Sequence, residues 1–571
     1  MGIYSKGKNV IGLMKQKGFK KTVCFYLNRK KEQEKALHTI QRYHLPPGEE
    51  LQEQRNYEWS NMPLISIITP LYNTPKEFLE QLIDSVLKQT YVNWELCLAD
   101  GSDEKHDYVG ELCRSYARRN YRIIYKKLEN NEGIVGNTNH CIGMASGDYY
   151  GLLDHDDLLH PSSLFEVVKA INEGADFIYT DEMKFQGDVE NSTDIVCKNG
   201  FGKDELRSHN YICHFVVFQK RLLEGMNEFY RQKCEGSQDY DMVLRLTEKA
   251  SKIVHIPKIL YYWRVHQGSV SMDLSVKQYA VDSAKKAIAD QLNRSDEKGS
   301  VECNFPYQTI YKVSYELRTT PLISVYLWGD LEGAELLLYM KEILSKTHYK
   351  MIEFLVPKNV SETKIGNVPV IVVEAKNQNL YEWFNQAEEF SRGEYNLYFC
   401  EACTPMEPMW IEELLMFVQR EDVGVVGAHI LYRKNQTYFA GAVLDKEAQA
   451  GIHVIDFNVQ ESEQGYEANL KHVRNTTILS ILCMLVSKKE VAAIGGFRTS
   501  MGACADADLC LRCRQTGKWN VWTCFSRIYY NGNESVYRRW EKCQEFLNGW
   551  DTELRKGDEY YHPLLKALGR I

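Results

Sequence analysis

The chain has 571 residues, of which 44% are hydrophobic and 26% charged, and a formal net charge of -8. This is the composition of a soluble globular protein of several domains, and no apolar run approaches the ~18 residues of a membrane-spanning helix. The start lacks the apolar middle of a secretory signal, so the expectation is a cytoplasmic protein with reduced thiols at its 16 cysteines and no nucleic-acid partner.

Residues 1–44 hold 11 Lys or Arg against two Glu, mixed with Ile, Leu, Met and Phe. This basic helical arm, taken as 1–60, suits either peripheral contact with the inner face of an anionic membrane or a solvated helix packed on the body. Pro46, Pro47 and Gly48 break it. LISIITPLYN then reads as a buried strand, and PKEFLEQLIDSVLKQTY places Leu79, Leu82, Ile83, Val86 and Leu87 at helical spacing. WELCLAD is a strand ending in Asp100, DYVGELCRSYARR a helix, YRIIYKKL extended and GNTNHCIGMAS a helix. YYGLL delivers Asp154, SSLFEVVKAIN follows as a helix, and FIYTDE is a further strand. Such alternation predicts a mostly parallel sheet flanked by helices, with ligands at the carboxyl ends of its strands. Asp100, Asp154, Asp156 and Asp181 all fall at predicted strand ends. Beyond them YICHFVVF and KILYYWRV read as extended and YDMVLRLTEKAS as helical.

The stretch GLLDHDDLLHP crowds three aspartates behind an apolar strand. Residues two apart on an extended backbone face the same way, so Asp154 and Asp156 converge while Asp157 turns aside. Their mutual repulsion calls for a cation, and hard oxygen ligands suit Mg²⁺ or Mn²⁺. The competing reading is an acidic cap on the helix that begins near Pro161.

PLISIITPLYN, LCLADGSD, NNEGIVGNTNHCIGMASGDYYGLLDHDDLLHP and EGSQDYDMVLRL, in this order across about 62–272, resemble the family 2 glycosyltransferases of GT-A fold. The likeness is closest to rhamnosyltransferase-like members that build bacterial polysaccharides. The resemblance implies that Thr69, Pro70 and Tyr72 hold the base of a nucleotide-sugar donor, dTDP- or UDP-linked. Asp100 would bond the base or ribose, and Gly133 and Asn139 would lie along the nucleotide. Asp154 and Asp156 would be the metal-binding D-x-D that takes Mn²⁺ or Mg²⁺ to the diphosphate. Asp239 would be the general base of an inverting transfer, although Gln238 stands where the family commonly has Glu. Arg264 would approach the diphosphate and His266 the metal, while Lys198 and His214 would touch donor or acceptor or serve the core.

From PLISVYLWGD the plan repeats. The resemblance implies an α/β chain of two tandem GT-A units, Rossmann-like and with mostly parallel sheets: a catalytic unit over 61–295, a linker over 296–317, and a degenerate second unit with a tail over 318–571. Counted from Gly147 and Gly393, Asp154 aligns with Cys400 and Asp156 with Ala402, allowing a one-residue slip, while Asp506 and Asp508 persist opposite Asp239 and Asp241. The second unit is therefore expected not to transfer sugar. Cys400, Cys403, Cys510 and Cys513 form two C-x-x-C pairs that read either as a zinc site or as small core residues. The tail, with Trp550, Asp558, Tyr561 and Pro563, is expected to fold back on the second unit. The expected activity moves a sugar onto a cell-surface polysaccharide or lipid-linked glycan. The alternatives are a non-catalytic nucleotide-sugar-binding scaffold and a two-site polymerase.

Overall fold

The computed structural model describes residues 46–191, 194–266, 278–304, 306–532, 540, 543–562 and 564–565. The basic arm over 1–44 and Pro563 lie outside them. Among the described residues no helix is long and apolar enough to cross a membrane, and every cysteine is free.

The first unit is built on strands β1 (Ile65–Leu71), β2 (Trp94–Asp100), β3 (Ile123–Lys127), β4 (Tyr149–Leu152), β5 (Leu158–Leu159), β6 (Phe177–Phe185), β7 (Asp194–Val196), β8 (Val216–Gln219) and β9 (Ile253–Arg264). They lie in the order β3-β2-β1-β4-β8-β6-β9-β5, with β7 beside β6. Every residue of β1 and β2 is buried, as expected of parallel strands covered on both faces. The Lys76–Leu87 helix covers one face through Leu79, Leu82, Ile83 and Val86. The sheet is mixed rather than uniformly parallel. β8 runs antiparallel between β4 and β6, and short β5 and β7 are antiparallel to β9 and β6.

A hairpin of β10 (Gly299–Cys303) and β11 (Tyr311–Tyr315) occupies most of the segment expected as a linker. The second unit then lays down β12 (Ile323–Trp328), β13 (Ile352–Val356), β14 (Lys364–Ile365), β15 (Val368–Val372), β16 (Tyr395–Cys400), β17 (Cys403–Pro405), β18 (Val423–Tyr432), β19 (Gln436–Phe439), β20 (Ala442–Leu444), β21 (Ile452–Val454), β22 (Arg474–Asn475), β23 (Cys483–Ser487) and β24 (Trp519–Tyr530). Apart from β14 at its edge, the order β15-β13-β12-β16-β23-β18-β24-β17 repeats the first sheet strand for strand. The directions repeat too, including antiparallel β23 between β16 and β18.

The likeness extends to buried latches. Ser66 Oγ donates to Glu95 at 2.6 Å and accepts from Gly147 N at 2.9 Å; Ser324 does the same with Glu353 at 2.8 Å and Gly393 at 2.9 Å. Asn139 clasps the backbone of Tyr230 through both ends of its amide, and Asn385 clasps Phe497 identically. A side chain that satisfies one backbone N–H and one C=O at a buried crossing replaces a missing strand partner.

The units meet across the Lys203–Ser208 helix, all of whose residues after Lys203 are buried. Asp204 pairs with Arg420, and its backbone N–H donates to Asn475 Oδ1 at 2.9 Å. Arg207 donates to Tyr315 at 2.8 Å, and Lys203 bridges Asp422 at 2.8 Å. The tail packs on the second unit as expected, with Trp550 Nε1 donating to Asp508 at 3.1 Å and Asp558 accepting from Leu444 N and Thr477, each at 2.8 Å. It then continues onto the first unit, where His562 meets Asp181 at 2.6 Å and Leu564 and Leu565 join the core.

That contact corrects one expectation. Asp181 does not end its strand: β6 runs on to Phe185. The carboxylate is fully buried between His255 and His562, away from any crevice at a strand end.

Candidate functional site

The carboxyl ends of β1, β2 and β4 define the crevice. β1 and β2 end level, Leu71 beside Asp100, and β4 ends beside Ile68 of β1, so the segments after these strands face one space. Thr69 and Pro70 are buried in β1, the Thr69 hydroxyl lacking a hydrogen-bond partner, while Tyr72 beyond the strand end is 46% exposed. Asp100 is buried and accepts from Tyr125 at 2.8 Å, Ser102 N at 2.8 Å and Lys127 at 3.3 Å. Gly101 allows the Asn131 loop to close on this strand end, since a Cβ there would lie 2.7 Å from Asn137 Nδ2 and 3.1 Å from Asn131 Oδ1. Gly133, at φ +69°, turns that loop into the Gly133–Met144 helix.

The acidic turn after β4 sorts its three carboxylates. Asp157 is buried, accepting from Tyr261 at 2.6 Å and Arg264 N at 2.7 Å. Burial, then the charges of Asp156 and Asp154, push its pKa well up. Asp156 faces His266, with 2.9 Å between Oδ2 and Nε2. Arg264 holds the turn from behind, donating to the Asp156 carbonyl at 2.6 Å and to Gln81 at 2.7 Å, with its guanidinium over Phe78.

Asp154 is half exposed to the crevice, and His214 Nε2 lies 3.5 Å from it. Behind His214 stands buried Glu182, 3.4 Å from Nδ1, and behind that Lys198 at 3.0 Å. Burial works against the charges of His214 and Glu182, yet the pairing wins. His214 is held protonated well above the usual imidazole range by Asp154 and Glu182. Asp154 is drawn below the usual carboxylate value by His214, and Glu182 falls to about 2 beside Lys198 and His214. Lys198 is thus a buried counter-charge and His214 faces the crevice.

Asp239, in the first turn of the Gln238–Thr247 helix, reaches the same space. Its Oδ2 accepts from Asn210 at 3.0 Å and lies 3.4 Å from Cys213 Sγ. Cys213 and His214 are consecutive, so one short segment touches Asp239 with one residue and Asp154 with the next. Asp241 is buried under Arg231 and Arg245.

Asp156 and His266 lie 2.9 Å apart, about the spacing of two ligands on an octahedral ion, but among the described residues no group of three or more clustered metal-ligating side chains includes Asp154, Asp156 or His266.

The second unit has lost this arrangement. Strand register sets Tyr149 against Tyr395 and Gln219 against Ser487, which puts Cys400 at Asp154 and Leu482 at His214. The loss is paired. Glu401 reaches over the loop after β12, accepting from Leu331 N at 2.6 Å and from Asp330 N. By register those residues match Asn73 and Tyr72. Asp506, at the position of Asp239, is fully buried and accepts from Trp540 Nε1 at 3.0 Å. The C-x-x-C pairs do not form a zinc site: among the described residues, no group of three or more clustered metal-ligating side chains contains any of these four cysteines, and burial raises the thiols of Cys510 and Cys513. They are small core residues.

The model of Glycosyl transferase family 2 matches residues 66–225, within the first unit. The chain carries a family 2 glycosyltransferase domain. An uncharacterised protein, y4gI, of Sinorhizobium fredii is 32% identical over 520 residues, covering 85% of this chain and 54% of the relative. The O-antigen biosynthesis protein RfbC of Myxococcus xanthus is 27% identical, covering 89% of this chain and 40% of the relative. Both alignments extend beyond the glycosyltransferase domain into the second unit, although this chain spans only about half or less of either relative. The hyaluronan synthase of Pasteurella multocida is 31% identical over 225 residues, covering 37% of this chain and 22% of the relative.

The family resemblance assigns Asp154, Asp156 and His266 to a metal and Asp239 to the base; the structure sets Asp156 beside His266 and links Asp154 to Asp239 through His214 and Cys213. Sequence reading left His214 undecided and missed Glu182, because their link joins strands far apart in the chain.

Proposed function

We propose that the first unit, taken as residues 61–295, is an inverting, metal-dependent glycosyltransferase. It moves a sugar from a dTDP- or UDP-linked donor onto a cell-surface polysaccharide or lipid-linked glycan. The observation that carries this reading is the Cys213–His214 segment, which joins the Asp239 carboxylate to the Asp154 carboxylate across one open crevice.

Each residue then has a task. Tyr72, Asp100 and Gly133 line the end of the crevice suited to the nucleotide, with Thr69 and Pro70 supporting it from β1. Asp154, Asp156 and His266 hold Mn²⁺ or Mg²⁺, which when bound offsets the charge that builds on the departing nucleoside diphosphate. His214 stands beside Asp154 at the same point of the crevice. Asp239 takes the proton of the acceptor hydroxyl as its oxygen bonds to the anomeric carbon. The bond from that carbon to the diphosphate oxygen breaks from the opposite face, its electron pair leaving with the diphosphate. Arg264 and Asn139 act as braces for the turn and the Tyr230 segment, a role better supported than direct contact with the donor.

The second unit performs no transfer. Cys400 and Leu482 supply no charge for a diphosphate, Glu401 covers the loop amides, and Trp540 seals Asp506. Its use is to support the first unit.

The test is release of nucleoside diphosphate from a panel of dTDP- and UDP-sugars, with and without Mn²⁺, in the presence of glycan acceptors. Wild type should release it only with metal, and Asp239→Asn should retain donor binding while losing release. Equal release by both proteins refutes Asp239 as base. Donor binding without release by wild type under every condition favours the scaffold reading.

A further inference from the structure

Two buried clusters of metal-ligating side chains stand apart from the crevice, and they differ in one respect. In the first, Asp181, Cys197 and His562, the carboxylate is already satisfied: it accepts from His255 at 2.8 Å, from His562 at 2.6 Å and from Lys198 N at 2.9 Å. Protons alone complete it. The second cluster joins Glu205 and His209 of the first unit to His472 of the second, with one ligand atom from each within 4.8 Å of the others. Here Glu205 Oε2, His209 Nε2 and His472 Nε2 are all buried without a hydrogen-bond partner. Three orphaned polar atoms at one point are costly, about 1–3 kcal/mol each, and native interiors leave few of them.

The chemistry of these atoms is that of a metal site. His472 Nδ1 lies 2.9 Å from the Val473 carbonyl. That contact makes Nδ1 the donor in a neutral ring and leaves Nε2 with its lone pair, as in most ligating histidines. The two imidazoles are 4.5 Å apart between ring centres. Glu205 Oε1 accepts from Asn199 at 3.0 Å, which fixes the carboxylate and leaves Oε2 buried without a partner. The backbone beneath is rigid, because Asn475, three residues after His472, already caps the Lys203–Ser208 helix through Asp204 N.

The geometry points to a zinc ion held by Glu205, His209 and His472, a cross-link between the two units. Two imidazole nitrogens and one carboxylate favour zinc over Mg²⁺ or Mn²⁺, which prefer oxygen ligands. Ligands of a tetrahedral zinc lie about 3.3 Å apart, so ligand atoms now within 4.8 Å of one another close by up to about 1.5 Å on the ion. A fourth position remains for water. The site does not depend on the sugar-transfer reading.

The full chain, purified without a metal-affinity tag or chelator, should contain one equivalent of zinc by elemental analysis. His209→Gln and His472→Gln should lose it, whereas Cys197→Ser and Asp154→Asn should keep it. Chelator-stripped wild type, shown to be folded by circular dichroism, should take up one cobalt(II) with the visible absorption of a tetrahedral site. Stripped, folded wild type that binds neither zinc nor cobalt overturns the proposal, and does so even if the histidine variants fail to fold. Zinc that survives both histidine substitutions, or that leaves with Cys197→Ser, overturns it equally.

Discussion

At the scale of single residues, the site works by setting charges against one another. Glu182 is the hidden member of the row Asp154–His214–Glu182–Lys198. Its pKa is lowered from 4.5 to about 2 in the folded protein, so folding is favoured by its ionised form. That stabilisation is complete above the unfolded value near 4.5 and is lost as pH falls towards 2. Acid unfolding followed by fluorescence should therefore show wild type losing its advantage over Glu182→Gln within this window. An advantage that persists unchanged to pH ~2 contradicts the pairing. His214→Gln removes the cation beside Asp154, and should weaken donor binding, read as a rise in KM, more than it slows turnover. Asp239→Asn should do the reverse, lowering kcat by about 10²–10⁴-fold, the usual worth of a positioned base.

At the scale of elements, the two sheets carry the same latches but not the same chemistry. Asn139→Ala and Asn385→Ala should each cost about 1–3 kcal/mol, because each strands a backbone N–H and C=O. Denaturant unfolding of the two variants tests this, and a neutral result at both sites refutes the clasp. The strands and helices were legible in the chain because their patterns are strong: β1 is apolar but for Ser66 and Thr69, and the Lys76–Leu87 helix buries four apolar residues at helical spacing. The Cys400 alignment was legible too, since Gly147 and Gly393 mark equal points in both copies. Less legible were features set by pairing across the sheet. Nothing in FIYTDE tells that β6 continues past Asp181, because that depends on β9 lying alongside with a register shift there. The Leu482 substitution for His214 also needs the strand register, since little else in YICHFVVF resembles SILCMLVS. Asn139 reads as a ligand residue in its motif until Tyr230, 91 positions away, is seen beside it.

At the scale of the whole molecule, the junction between units is charged where an ordinary domain core is apolar. Asp204, Arg207 and Arg420 are all buried there. Arg420→Met should destabilise the chain by about 3–5 kcal/mol, because it leaves Asp204 ionised and unpaired, while changing Arg420 and Asp204 together to apolar residues should recover most of that loss. Thermal unfolding of the single and double variants decides the matter; a double variant no more stable than Arg420→Met refutes the pairing. The way the tail returns has a temporal corollary. Asp181 is made well before one of its two imidazole partners, which lies 381 positions later, and before Leu564 and Leu565, which join the core of the first unit. That unit therefore cannot complete its interior until nearly all of the second unit has been synthesised.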